Sequence, residues 1–148
     1  QKIVGFVRAP QILANYFLVF NAALCDSVRG NKMTIAKGEM SPRGNAIAHY
    51  KARTNAEGAA AWADVSCAPS IRMHIPKFEI TAVGAEEIDS KVFGLIAAAG
   101  IQQELVEIHE HGLYVTCFLH QTDGTDKWDA VEIFLFDEQD RVAEIWAL

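Results

Sequence analysis

The stretch VEIFLFDEQDRVAEIWAL, residues 131–148, decides the fold. Val131, Ile133, Phe134, Leu135 and Phe136 make a short apolar run of strongly β-prone residues. The polar run DEQD, residues 137–140, reverses the chain, and RVAEIWAL follows as a second strand, so the stretch is expected to be an antiparallel hairpin. Glu132 places a carboxylate inside the first of these strands. Alternation puts it on one side with Ala130, Phe134 and Phe136, and puts Val131, Ile133 and Leu135 on the other. Both sides are apolar, whereas an antiparallel sheet in a lone monomer usually keeps one side wet. One side is therefore expected to face an interior and the other a second copy of the chain, giving a homodimer through the outer sheet face.

Working outward, LYVTCFLHQ (113–121) and QELVEIHE (103–110) continue the meander, with TDGTD and His111-Gly112 as turns. Upstream of them GAEEIDSKVFGLIAAAG (84–100) has Ile88, Val92, Leu95 and Ile96 at helical spacing and Gly100 as a C-terminal stop. SIRMHIP (70–76) is expected to be a short strand. Ser41-Pro42 opens a helix, since the Ser side chain can cap an early N–H and Pro at the first helical position gives up no needed bond. Ile47, Tyr50 and Thr54 line one face of that helix, and Asn55 with Gly58 ends or bends it. An Ala-rich helix at about 57–66 carries Trp62 and Val65, and Pro69 bars its continuation. Helices followed by a long meander predict an α+β fold, with three helices packed on one face of a curved antiparallel sheet.

The 148 residues suit one compact domain that buries its core without disulfides. With 51% hydrophobic and 22% charged residues and a net charge of -6, the composition is that of a globular, somewhat acidic protein. No Lys/Arg run is present, which argues against nucleic acid as a partner. Cys25, Cys67 and Cys117 are odd in number and widely spaced, so neither a disulfide framework nor a CxxC knuckle is read, and a reduced, cytoplasmic setting is expected. Residues 12–25, ILANYFLVFNAALC, follow Lys2 and Arg8 and have some character of a signal peptide. Asn15 and Asn21 interrupt them, they are too short to span a bilayer, and helical spacing makes a helix over 11–25 the better reading. Residues 1–40 are thus expected to be an N-terminal extension of helix and linker, and 41–148 the compact domain, with no membrane partner.

Three segments resemble one family. AIAHYKARTNAEGAAAW resembles the first helix and corner, IRMHIPKFEITAVGAEEI the short strand, loop and helix-opening Gly, and VEIFLFDEQDRVAEIWAL the closing hairpin of the nuclear transport factor two-like proteins. That superfamily includes ketosteroid isomerases and SnoaL-like polyketide cyclases. The resemblance spans most of residues 45–148 and implies a cone-shaped barrel around a pocket, binding a small hydrophobic, ring-bearing molecule. Within the family the hairpin is most similar to the ketosteroid isomerase type. There an acid at the place of Glu132 and a tyrosine at the place of Tyr50 donate hydrogen bonds to an oxyanion. In ketosteroid isomerase that acid is kept protonated by apolar surroundings, and the resemblance implies the same for Glu132. The isomerase base, an aspartate before the proline of the short strand, is replaced by Ile75, or by His74 if the strand shifts by one. The His and Asp that cyclases often carry in the last strand correspond to Ile145 and Ala147.

The candidate catalytic residues are therefore Tyr50 and Glu132, polarising an oxygen, and His74, moving a proton by isomerase-like or cyclase-like chemistry. Trp62, Val115, Cys117, Phe134, Ile145 and Ala147 are the expected substrate-binding wall. Each has a plainer reading. Glu132 could pair with Arg72 or Lys127, Tyr50 could bond a backbone carbonyl, His74 could be a satisfied structural histidine, and Cys117 and the tryptophans could be core. His109 and His111 lack a third converging ligand, so no metal is expected, and the chemistry needs no organic cofactor. A non-catalytic ligand-binding or dimerisation module of the same fold is the alternative.

Overall fold

The computed structural model describes residues 39–148; the helix expected over 11–25 and its linker lie outside them. Ser41 caps helix α1, Pro42–Glu57, by accepting from the Gly44 N–H, and Pro42 occupies the first helical turn. Ile47, Tyr50 and Lys51 are buried along one stripe of α1. Gly58, at φ 55°, adopts a conformation open to glycine and stops the helix. A short helix α2, Ala59–Ala63, buries Ala61 and Trp62. Arg53 ties the two helices together, meeting Glu57 and Asp64 at 2.5 Å each, although such exposed pairs contribute little individually.

Six strands follow: β1 Cys67–Ile75, β2 Ile80–Val83, β3 Gln102–His111, β4 Tyr114–Thr122, β5 Lys127–Phe136 and β6 Val142–Ala147. Helix α3 lies between β2 and β3 and is built from Ala85–Glu87, a wide π-helical segment Ile88–Phe93, and Gly94–Ala99. Gly100 stops it in the left-handed conformation. The sheet order is β2-β1-β6-β5-β4-β3, so the cone is a curved sheet left open at its two edges.

Two expectations are corrected. The sheet is not wholly antiparallel, because β1 runs parallel to β6. The strand β2 was not foreseen: Pro76–Phe78 form a single 3-10 turn, Glu79 takes φ 55°, and the chain folds straight back onto β1, pairing Ile75 with Ile80. Only four residues long, β2 offers too short a pattern to be read. Irregular register between Cys67 and Arg72 and between Leu105 and Glu107 marks bulges of the sort that bend a sheet.

The inner face carries the core. Ile71, Met73, Val115, Cys117, Leu119, Ala130, Phe134, Phe136, Val142 and Ile145 pack with Ile47, Tyr50 and Trp62 from the first two helices and Ile88, Val92 and Phe93 from α3. On the other face Thr116, Ile133 and Trp146 stand side by side in register across β4, β5 and β6.

Glu110, near the end of β3, holds the start of α1. Its carboxylate accepts from the Ser41 N–H, the Gly44 N–H and the Ser41 hydroxyl, so a strand supplies the counter-charge at a helix N-terminus. A Cβ at Gly44 would stand 2.5 Å from Glu110 Oε1, which explains the glycine there. Burial would raise the Glu110 carboxyl, but the bonds from Ser41 and Gly44 outweigh it and hold the group below the ordinary carboxylate range. A depressed folded-state value gives stability that is whole above that range and is lost as pH falls through the lowered value. Glu110→Gln should therefore cost about 1 kcal/mol at neutral pH. In urea unfolding across a pH series the gap from wild type should close on acidification; a gap independent of pH would contradict the assignment.

Candidate functional site

Strand β5 enters the interior with Ala130, Glu132, Phe134 and Phe136, all buried. Glu132 is 5% exposed, in register with Cys117 of β4 and Ala147 of β6. Its partner is neither Arg72 nor Lys127. Lys51 of α1, one residue after Tyr50, points into the same space, and its Nζ lies 2.5 Å from Glu132 Oε2. A helix stripe at positions 47, 50 and 51 faces one way, so the turn that buries Tyr50 buries Lys51 as well.

The ammonium has a second oxygen partner, Gln103 Oε1 of β3 at 2.9 Å. It also stands over two ring faces, 4.8 Å from the Tyr50 centroid and 5.8 Å from that of Phe134. Burial pulls the Lys51 pKa down, but Glu132 and Tyr50 outweigh it and the net direction is up. The ammonium thus stays charged and Glu132 serves as its counter-ion. That differs from the neutral, donating acid that the resemblance implied, because the donor at this point is a lysine.

Tyr50 is packed edge-on against Trp62, centroids 5.1 Å apart, and against Phe134 at 6.5 Å. Burial raises its phenol pKa, Lys51 works against the rise, and Thr54 bonds the phenol side chain. Cys117 is a dry thiol pushed up to about 12, first by burial and then by Glu132, which makes it wall rather than nucleophile. Trp62, Val115, Phe134 and Ile145 lie in the same core, with Ala147 packed against it. These residues are thus members of the packed core that surrounds the polar cluster, and none of the six expected wall residues lines either of the two cavities that flank it.

His74 is not among them. Alternation along β1 turns Ile71, Met73 and Ile75 inward and His74 to the opposite face. There its Nε2 bonds Glu144 Oε1 at 2.8 Å, and its ring stacks on Trp146 at 5.8 Å. A side chain on that face cannot deliver or take a proton at Glu132. His109, likewise, is engaged by Glu107 at 3.0 Å.

Two cavities flank the cluster. One, of about 550 Å³, lies at the ends of β3, β4 and β5, with Asn55, Gln103, Gln121 and Trp128 in its wall. The other, of about 360 Å³, lies along α1 and α2 and is bordered by Tyr50, His49 and Val65. Lys51 and Glu132 line neither; both are sealed behind their neighbours. Sequence reasoning missed Lys51 and Gln103. The signal for Lys51 was available: it sits four residues after Ile47 and next to Tyr50, on the apolar stripe, and a buried acid calls for a buried cation. Gln103 had no such signal, since only the register of β3 against β4 brings it there.

Removing one partner of a dry ion pair strands the other. Lys51→Met and Glu132→Gln should each cost about 3–5 kcal/mol, and the double variant Lys51→Met/Glu132→Leu should recover most of that loss. Urea unfolding of the three variants checks this; additive losses would mean that the two charges are not coupled.

No protein-family model matches the chain, and no curated protein matches it in sequence. Solved structures do match in fold. An NTF2-like protein of unknown function from Burkholderia pseudomallei superposes with a TM-score of 0.63 at 14% identity, covering 74% of this chain and 91% of that one. A candidate ketosteroid isomerase from Kribbella flavida gives 0.59 at 12% identity, covering 71% and 75%. A candidate polyketide cyclase from Sinorhizobium meliloti gives 0.60 at 13% identity, covering 70% and 94%. With β1 to β6 curved around one apolar interior and three helices closing it, this chain has the nuclear transport factor two-like, cone-shaped α+β fold that those proteins share.

Proposed function

We propose that this chain is a small-molecule pocket protein whose polar centre is the Lys51, Glu132 and Tyr50 cluster, acting on a hydrophobic ring-bearing molecule by isomerase-like or cyclase-like proton transfer. The observation that carries the reading is a charged ammonium held dry between a carboxylate and a phenol ring, amid an otherwise apolar interior. An ammonium in such a place stabilises negative charge developing on a ligand oxygen more strongly than it would in water. In that step a C–H bond next to a carbonyl breaks, its proton passes to the Glu132 carboxylate, and the electron pair settles on the oxygen facing Lys51 and Tyr50.

A second reading is a binding module without turnover. It is favoured by the close pairing of Lys51 with Glu132 and by the place of His74, which leaves no separate base in the interior among the described residues. The proposal also includes a homodimer through the outer sheet face, supported by Val131, Leu135 and Trp146, apolar side chains only half-buried there in one protomer. Sedimentation equilibrium should return twice the chain mass; a monomer at high concentration would remove that part.

A thermal-shift screen against steroid enones, quinones and cyclic ketones should raise the melting temperature, as any ligand selective for the folded state does. In deuterium oxide the wild type should then exchange the protons next to the carbonyl of a bound ketone, and Tyr50→Phe should slow that exchange about tenfold or more. Binding without exchange would select the module, and a screen without any shift would overturn both readings.

A further inference from the structure

We infer that Gln103 is a gate that occupies on Lys51 the place of a ligand oxygen, and that the ligand it yields to carries a neutral acceptor such as a ketone, amide or quinone carbonyl. The inference rests on the proposed reading of the interior as a ligand site, and adds to it the way in and the charge of the group admitted.

An ammonium has three donors. Lys51 directs them toward one charged oxygen, on Glu132, and one neutral oxygen, on Gln103. Of these Gln103 is the replaceable one. It is half-buried, and it borders the 550 Å³ cavity as well as touching the sealed ammonium, so it is a side chain shared by that cavity and the buried charge.

Its backbone is pinned at both polar groups, while its side chain is held by the bond from Lys51. The Asn55 carboxamide accepts from the Gln103 N–H at 2.8 Å and donates to the Gln103 carbonyl at 2.7 Å, so β3 cannot draw away from α1. What can move is the carboxamide, which swings about ordinary side-chain torsions without disturbing the sheet. Beside it, in register, Gln121 Oε1 accepts from Trp128 Nε1 at 2.7 Å, which fixes the indole as a flat wall of the same cavity. A planar ring could lie there while its oxygen takes the place that Gln103 leaves.

Charge decides which oxygen is admitted. Lys51 and Glu132 sum to zero, and the carboxamide adds none. A ketone or quinone oxygen keeps that balance. A carboxylate or phosphate would leave one uncompensated negative charge buried beside Glu132, which is costly in a dry interior.

The test titrates 1-tetralone and 1-naphthoate, a neutral and an anionic oxygen on similar flat frames, into wild type, Gln103→Met and Gln121→Ala. Gln103→Met keeps the length of the side chain and removes its oxygen, and far-ultraviolet circular dichroism checks that each variant is folded. Removing a competing internal acceptor raises apparent affinity by the reciprocal of the fraction of time that the site stood free of it. Tetralone should bind the Met variant about fivefold or more tighter than wild type, and naphthoate should stay about tenfold weaker than tetralone in both. Tetralone binding that ignores Gln103, or naphthoate binding as tightly, would overturn the gate while leaving the pocket reading intact. Tetralone binding none of the three proteins, with the steroid and quinone screen also blank, would overturn the pocket reading and the gate with it.

Discussion

A single dry ion pair organises this molecule. Two charges taken out of water each carry a solvation cost of several kcal/mol, recovered only when the partner is close and the remaining donors are bonded. Lys51 and Glu132 lie 2.5 Å apart, Gln103 bonds the ammonium, and the Tyr50 and Phe134 ring faces stand beside it. Because the lysine comes from α1, the acid from β5 and the amide from β3, the pair fixes three elements against one another at the centre of the cone. A helix rotated by one residue, or a strand slipped by one, would leave a bare charge in an apolar core. Burial of hydrocarbon alone would not penalise such slips so sharply, so the pair sets register as well as adding contact.

The same pair separates this interior from that of an isomerase with a neutral acid. There a protonated carboxyl and a phenol both donate. Here the phenol remains, its hydroxyl side engaged by Thr54, and the donor at the centre is a cation with an anion at its side. The inner sheet face supplies wall and charge, while the outer face carries a different polar set, His74 with Glu144 against Trp146. One sheet thus bears two chemically distinct surfaces, separated by the alternation of its strands.

Much of this was legible in the residues. The hairpin of 131–148, the Ser41-Pro42 helix start, the stop at Gly100 and the grouping of Glu132 with Ala130, Phe134 and Phe136 on one side all follow from rules that act over a few residues. What could not be read depended on partners distant in sequence. The parallel pairing of β1 with β6 joins segments about seventy residues apart, and no local pattern encodes it. The side to which His74 turns depended on strand phase, and Ile71, Met73 and Ile75 outweigh it as apolar residues on the inward side. Lys51 was passed over because lysine is seldom buried, yet Glu132 required a cation and α1 offered one on its apolar face. Gln103 needed the register of β3 and the clamp from Asn55, neither of which a single sequence displays.

The most direct measurement of the central claim is the side-chain nitrogen resonance of Lys51, followed by nuclear magnetic resonance as pH is raised and assigned by its loss in Lys51→Met. A folded-state lysine pKa held above its unfolded value contributes stability that is whole below the unfolded value and is lost as pH climbs through the folded one. The account predicts a slowly exchanging ammonium that keeps its proton beyond the ordinary lysine range. An amine that exchanges like those on the surface, or that loses its proton at or below the ordinary value, would contradict it.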